Sequence, residues 1–376
     1  MEKRIKFDIQ VPTDIQHIQQ IFKKNGYILY LVGGSVRDAL LNNKIKDYDL
    51  VTDAVPDKVE EIMNNSGFKT LATGKAFGVI NVFTDKDEYE IATFRGECYS
   101  DKDKRRPETV YFSDIETDSA RRDLTCNALY YDIETKEIID LVDGYSDIKN
   151  GIIKTVGKAE DRFNEDKLRI LRIIRFTARF GSHIDNETDL ALIKYSSLEG
   201  ISGERIRDEF IKGLVSAKSS KNYLELVDRY NLFDWIFKDL IIDKRFIDND
   251  DPIVLISMSL HKNDSSVLSK KLNELKYSID EIRKITTLIS MLDLDIETAP
   301  RLKRLFIKSG LCSDKLRNFG ANMWISTQLL DSFEEYLKLP NITGQEAMDK
   351  YKIEKPGAEL GKAINIMEID VFNNLI

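Results

Sequence analysis

The sequence predicts an α+β protein, with a small mixed-sheet head followed by an all-helical remainder. Three observations carry this. Residues 1–155 interleave strand-like alternation of apolar residues with helical signals. From Asp161 onward the alternation gives way to long charged segments of helical period. The length of 376 residues exceeds what one hydrophobic core usually serves. The expected organisation is a head over 1–155, a helical neck over 156–218, a helical body over 219–300 and a helical tail over 301–376.

Within the head, 15–22 reads as an amphipathic helix and 27–32 as an apolar strand ending in Gly33 and Gly34. A short helix follows, then a second strand carrying Asp47 and Asp49. Pro56 lies near the start of the next helix, with acidic residues in its first turn. Residues 78–83 and 88–94 read as strands paired around the turn at 84–87, and 128–132 and 137–142 as a hairpin turning at 134–136. Helical period then marks 161–180, 187–195, 203–215, 220–229, 265–275, 279–292 and 301–308.

The 56 Lys and Arg against 64 Asp and Glu leave a formal net charge of −8. This excludes a uniformly basic nucleic-acid binder and leaves room for a local basic groove. Cys98, Cys126 and Cys312 are far apart and form no Cys-x-x-Cys, as expected of a reduced intracellular protein without structural zinc. The N-terminal residues lack the apolar core of a signal peptide, and no apolar run suffices to span a bilayer. A cytoplasmic protein without membrane association is expected. His17, His183 and His261 stand in no His-Asp dipeptide and read as surface or packing residues, not as a metal hydrolase centre.

Three constellations carry chemistry. In the first, side chains two apart on a strand share a face, so Asp47 and Asp49 can hold one divalent ion. The preceding Gly34 lets backbone approach a phosphate, and Arg37 can fork onto its oxygens. A bare Asp-x-Asp is more simply a surface turn; the glycine pair and Arg37 turn the reading toward a triphosphate–metal complex. Glu90, on a nearby strand, is the candidate third metal carboxylate, against a plain strand-face glutamate. The second constellation is Arg121, Arg122, Asp123 and Asn127. Alone it reads as surface ion pairs. Beside a nucleotide, Arg122 could meet phosphates while Asp123 and Asn127 hold ribose hydroxyls or position that arginine.

The third runs from Asp161 to Phe176. As one helix it puts Glu165 and Asp166 a turn from Arg169, with Arg172 and Arg175 drifting around the axis. A salt-bridged helix is the plain alternative. The functional one is specific: a carboxylate accepts from an exocyclic amine while a guanidinium donates to an unprotonated ring nitrogen. Cytosine and adenine present that edge; uracil and guanine do not.

Taken in order, these motifs resemble the tRNA nucleotidyltransferases of the bacterial-eukaryotic class, the CCA-adding enzymes of the nucleotidyltransferase and poly(A) polymerase superfamily. Gly-Gly-Ser-Val-Arg-Asp at 33–38 with Asp47 and Asp49 matches that family's catalytic signature, and 121–128 its ribose and triphosphate element. Glu165, Asp166 and Arg169, continuing to Arg172, Arg175 and Phe176, match its amino-acid template for choosing CTP and ATP. Residues 140–144 are similar to its hinge element and 202–209 to the motif bracing its neck helices. The resemblance implies a nucleotidyltransferase-type head, Mg2+ as cofactor, CTP and ATP as substrates and tRNA as partner. It also implies Asp47 and Asp49 as catalytic metal ligands. Nucleotide contacts follow at Gly34, Arg37, Arg122, Asp123, Asn127, Asp166, Arg169, Arg172 and Arg175.

The likeness covers roughly residues 27–215 and weakens beyond 216, where 355–362 is similar to a Pro-Gly segment near the family's C-terminus. The densest basic stretch there, Arg301, Lys303, Arg304, Lys308, Lys315 and Arg317, is expected to contact the tRNA backbone, with a solvated helix face as the alternative. Residues 95–107 look like the loop that enzymes adding only two cytidines lack, which favours full C-C-A addition. An A-adding enzyme, a poly(A) polymerase and a catalytically silent RNA-binding protein are the rivals.

Overall fold

The computed structural model describes residues 2–98 and 109–376. They form two compact units. The first comprises Met1–Ile201 with Ser216–Lys218 and Arg229–Leu232; the second comprises Ser202–Val215, Ser219–Asp228 and Phe233–Ile376.

The first unit begins with β1 (Lys3–Lys6), α1 (Thr13–Lys24), β2 (Leu29–Val32), α2 (Gly34–Leu40), β3 (Leu50–Thr52) and α3 (Pro56–Asn65). Next come β4 (Lys69–Leu71), β5 (Val79–Phe83), β6 (Glu88–Thr93) and a ribbon of β7 (Arg95–Cys98) and β8 (Thr109–Phe112). After α4 (Ile115–Ala120) the chain forms β9 (Leu129–Asp132), β10 (Glu137–Asp140), α5 (Gly144–Lys149) and β11 (Ile152–Ile153). It continues through α6 (Ala159–Glu165), α7 (Leu168–Phe180), β12 (His183–Ile184) and α8 (Asn186–Tyr195).

Eight strands make one sheet in the order β1-β10-β9-β2-β3-β6-β5-β4. Strands β3 and β6 pair in parallel, Leu50 beside Ile91, while the other neighbours are antiparallel. Alternation splits the sheet's residues between two faces. Leu29, Leu31, Leu50, Ile91, Leu129, Tyr131 and Ile138 join Ile15, Ile18, Phe22, Val59 and Met63 of α1 and α3 in the main core. Val32, Val51, Tyr130 and Ile139 point the other way, around Phe94. The catalytic candidates belong to this second face.

Two expectations are corrected here. Asp47 and Asp49 precede β3 instead of lying within it. Aspartate disfavours strand interiors, and the pairing reaches only as far as the Asp49 carbonyl, which accepts from the Val32 amide at 3.0 Å. The helix expected over 161–180 breaks at Asp166, whose backbone is extended at φ −148° and ψ 106°. Its Oδ1 accepts from the Leu168 amide at 3.0 Å, satisfying a first-turn donor of α7 in place of continuing α6.

Asp140, buried at the end of β10, accepts from the amides of Val142, Gly144 and Tyr145 at 3.0–3.1 Å and so folds the chain into α5. Gly144 has no room for a side chain, because a Cβ would stand 2.2 Å from the Thr125 carbonyl oxygen.

The second unit is built from helices: α9 (Gly203–Ser216), α10 (Ser220–Arg229), α11 (Phe233–Ile236), α12 (Pro252–Leu260), α13 (Ser265–Glu274) and α14 (Ile279–Ser290). It ends with α15 (Ala299–Ser309), α16 (Ser313–Asn322), α17 (Thr327–Lys338), α18 (Gly344–Tyr351) and α19 (Ala358–Asn373). Helix α12 was invisible to periodicity because every residue from Ile253 to Leu260 is buried, leaving no polar face to mark a period. In the motif at 202–209, Gly203 lies so close to α13 that a Cβ would meet the Glu274 carbonyl at 2.4 Å, and Arg207 hydrogen-bonds the Lys276 carbonyl. Among the described residues no helix is long and apolar enough to cross a membrane.

Replacing Gly144 with alanine forces Cβ into the Thr125 backbone. The expected cost is about 1–3 kcal/mol, as for overpacking elsewhere, read as a lower urea midpoint at unchanged slope.

Candidate active site

Gly33 sits at φ +66° between β2 and α2, with its amide bonded to the Leu129 carbonyl at 3.0 Å. Only glycine adopts this conformation at little cost, and a Cβ would lie 3.4 Å from both Arg122 Nη1 and the Asn127 carbonyl. At Gly34 the missing Cβ leaves space 3.8 Å from Asp49 Oδ2 and 3.6 Å from Arg37 Nη2. The parallel register of β3 and β6 carries the chain back one residue to set Asp49 beside Glu90. Asp47, Asp49 and Glu90 line a cleft of about 560 Å³ together with Asp87 and Glu88. The surrounding protein, then Glu90 and Asp47, push the Asp49 carboxyl above its ordinary value, while Arg122 and Arg37 oppose them.

The arginines around this cleft are held by buried acids. Asp118, fully buried on α4, accepts Arg121 Nη2 at 2.6 Å through one oxygen and Arg122 Nη2 at 2.9 Å through the other. The Tyr130 hydroxyl donates to the same acid at 2.7 Å. Burial opposes ionisation of Asp118, yet Arg122, Arg121 and Tyr130 hold its pKa below the usual carboxylate value. Arg122 also donates to the Asn127 carbonyl at 3.3 Å. Asp123 accepts Arg172 at 2.7 Å and the Asn127 amide nitrogen at 3.2 Å. Here too burial acts against ionisation, and Arg172 outweighs it. Asn127 Oδ1 in turn accepts Arg37 Nη1 at 2.5 Å. The Asp123–Asn127 pair thus places Arg172 and Arg37, while the partner of Arg122 is Asp118. That acid was overlooked, although its spacing of three and four residues from Arg121 and Arg122 was a readable signal. Cys126, buried inside this turn, has its thiol pushed up to about 12 by burial.

On α7, Arg169 bonds Glu165 and donates to the Arg121 carbonyl at 3.0 Å. This links the second and third constellations directly. Asp166 stands at the break before α7, and Arg175 lies over the Phe176 ring at 4.2 Å. The structure therefore brings Gly34, Arg37, Asp49, Arg122, Asp123, Asn127, Arg169 and Arg172 into one connected region of the first unit. Asp47 and Glu90 join it through the cleft.

The basic stretch of the second unit does not make one open cationic face. Lys303 is buried, bonded to the Leu339 carbonyl at 2.8 Å and set over the Tyr336 ring at 4.2 Å. Arg304 pairs with Glu368 at 2.6 Å, Lys315 with Asp251 at 2.6 Å and Arg317 with Asp331 at 2.8 Å. Of the loop expected over 95–107, residues 99–108 lie outside the described residues.

A sheet face presenting carboxylates beside a glycine turn, rimmed by arginines that neighbouring acids hold in place, is the arrangement of a nucleotidyltransferase head. Residues 29–154 match the family model described as "Poly A polymerase head domain", and residues 181–242 match "Probable RNA and SrmB- binding site of polymerase A". The chain is 31% identical to the CCA-adding enzyme of Lactococcus lactis subsp. lactis over 97% of this chain and 95% of that one. It is 36% identical to that of Staphylococcus saprophyticus over 74% of this chain and 69% of the relative. The crystal structure of the Bacillus stearothermophilus CCA-adding enzyme in complex with CTP shares the fold with a TM-score of 0.71 at 24% identity, covering 97% of this chain and 94% of that one. The chain belongs to the family of CCA-adding enzymes.

Replacing Asp118 with asparagine leaves two partly buried guanidiniums without their shared carboxylate. The expected loss is about 3–5 kcal/mol of stability in urea denaturation near neutral pH. Asp118 titrates lower folded than unfolded. Its contribution is therefore complete above the ordinary carboxylate range and is lost as pH falls through that range and below, so the gap between wild type and variant narrows in acid.

Proposed function

We infer that this chain is a tRNA nucleotidyltransferase that adds C-C-A to tRNA 3′ ends from CTP and ATP, releasing pyrophosphate. Its family membership over nearly the whole length supports the activity. The observation that carries the chemistry is the β3–β6 register, which sets Asp49 beside Glu90 in the open cleft lined also by Asp47. The relative from Thermotoga maritima is described in complex with tRNA_CCA, at 20% identity and a TM-score of 0.69, which supports tRNA as partner here.

Among the described residues no three acidic, histidine or cysteine side chains already converge on a metal position. Mg2+ fits this arrangement nonetheless, since it is commonly held by one or two carboxylates with substrate phosphates completing the shell. Burial first, and then Glu90 and Asp47, raise the Asp49 carboxyl against the opposing pull of Arg122 and Arg37, and a bound cation would relieve that crowding. Asp47 and Asp49 would hold the ion, with Glu90 as the third carboxylate. When bound, Mg2+ supplies positive charge to the phosphoryl oxygens and lowers the pKa of the attacking hydroxyl.

In the reaction the tRNA 3′ oxygen forms a bond to the α-phosphorus, and the bond to the β-phosphate oxygen breaks in line with it. Gly34 admits the phosphates close to the backbone, and Arg122 and Arg37 direct positive charge at them from positions fixed by Asp118, Asn127 and Asp38. Asp123 and Asn127 position Arg172 and Arg37 and are the pair assigned to the ribose hydroxyls. Asp166 accepts from the exocyclic amine of cytosine or adenine, and Arg169, steadied by Glu165 and the Arg121 carbonyl, donates to the ring nitrogen. Arg172 and Arg175 support that template.

Three transcripts, ending before C-C-A, after C and after C-C, offered CTP, ATP or both, test this reading. With both nucleotides, extension of each to a complete C-C-A end is expected, and Asp49→Ala is expected to abolish incorporation while keeping the wild-type circular dichroism. An A-adding enzyme would extend only the last transcript, and a poly(A) polymerase would not stop at one adenosine. Asp166→Ala is expected to narrow the preference for CTP over UTP by about tenfold or more, given the value of one base-edge hydrogen bond to a charged group. Unchanged selectivity would remove Asp166 from base recognition.

A further inference from the structure

Arg172, Phe176, Arg179 and Phe180 recur at the spacing of one helical stripe, and each meets α2 or the turn at 123–127. Arg172 holds Asp123 at 2.7 Å. Phe176 and Phe180 stack with their centroids 5.8 Å apart, and the Arg37 guanidinium lies 5.1 and 5.2 Å from the two rings. Arg179 Nη2 donates to Asp38 Oδ2 at 3.1 Å. The other oxygen of Asp38 takes both Nε and Nη2 of Arg37, each at 2.9 Å. Asp38, 7% exposed, is thus the junction between the glycine helix and α7.

From Arg37 the connections run through Asn127 and Asp123 back to Arg172, closing a ring that leaves and rejoins α7 two turns apart. Burial works against the charge on Arg179, Asp38 favours it, and Arg37 and Arg175 oppose it. Asp38 is the carboxylate that lets these cations share the space. Arg37 in turn stands next to the position where Gly34 and Asp49 approach each other.

We propose that Arg179 is a positioning residue for the nucleotide: gripped by Asp38, it sets where Arg37 and the Gly33–Gly34 turn stand relative to α7. Helix α7, with Asp166 bonded to its first turn, then fixes both ends of a bound nucleotide, the phosphates through Arg37 and Gly34 and the base through Asp166 and Arg169. The proposal rests on the base-reading role given above to α7. It separates from simple buttressing, in which the Asp38–Arg179 pair adds stability and nothing else.

The test uses the full chain with labelled CTP in equilibrium dialysis without tRNA, alongside incorporation assays and urea unfolding. Arg179→Gln is expected to weaken CTP binding about tenfold, the scale of one charge-assisted hydrogen bond. ATP binding should fall alike and UMP misincorporation rise, while the unfolding midpoint changes little. Arg179→Lys, which keeps the charge, is expected to recover most of the affinity. In an Asp38→Asn background, Arg179→Gln should weaken CTP binding by less than about twofold further, because the shared contact is already lost. Unchanged CTP binding in Arg179→Gln with a lowered unfolding midpoint would overturn the proposal, as would independent effects in the double variant. A wild-type chain that binds CTP but leaves tRNA unextended would instead refute C-C-A addition, with the Arg179 comparison still decided by CTP affinity.

Discussion

The candidate site of the first unit depends on the pairing of its buried and half-buried guanidiniums. An arginine cannot shed its charge, so taking one out of water is tolerable only where a carboxylate and further hydrogen bonds await it. Arg37, Arg122, Arg169 and Arg172 each have such an acid, in Asp38, Asp118, Glu165 and Asp123. The solution is costly in isolation. It makes sense around a polyphosphate, because the positive charge must already be oriented when the ligand arrives.

The sheet supplies the opposite requirement. Its acids are not neutralised in the same way: the Asp49 carboxyl is pushed up first by burial and then by Glu90 and Asp47, and Arg122 and Arg37 only partly offset them. A face with surplus negative charge therefore stands against a rim with fixed positive charge. Neither half makes a catalyst alone. A metal triphosphate, cationic at one point and anionic at others, is the kind of ligand that satisfies both.

Much of this was legible in the order of residues. The glycine pair, the two aspartates and the Arg-Arg-Asp element could be read because each is a short local pattern. Hairpins at 84–87 and 134–136 announced themselves by alternation and turn residues. The break at Asp166 was not legible, since helical periodicity continues straight through it and only the side-chain bond to the Leu168 amide shows that the helix restarts. The pairing of Asp38 with Arg179 spans 141 residues of sequence, beyond any local rule. The pairing within the basic tail stretch was hidden for a related reason: counting cations along a chain does not show which are already matched, and Lys303 is a core residue.

The single parallel pairing in the large sheet has a consequence for how such a site can vary. Between β3 and β6 the chain makes a long excursion through α3, β4 and β5, yet the alignment of Asp49 with Glu90 is set only by the few residues that actually pair. Length changes within the excursion leave that alignment alone. A single residue gained or lost between Asp47 and Thr52 shifts it by one and turns a carboxylate into the apolar core. The site is thus insulated from most of the chain that encloses it and exposed to slippage over only a handful of positions, where insertions and deletions would be purged first.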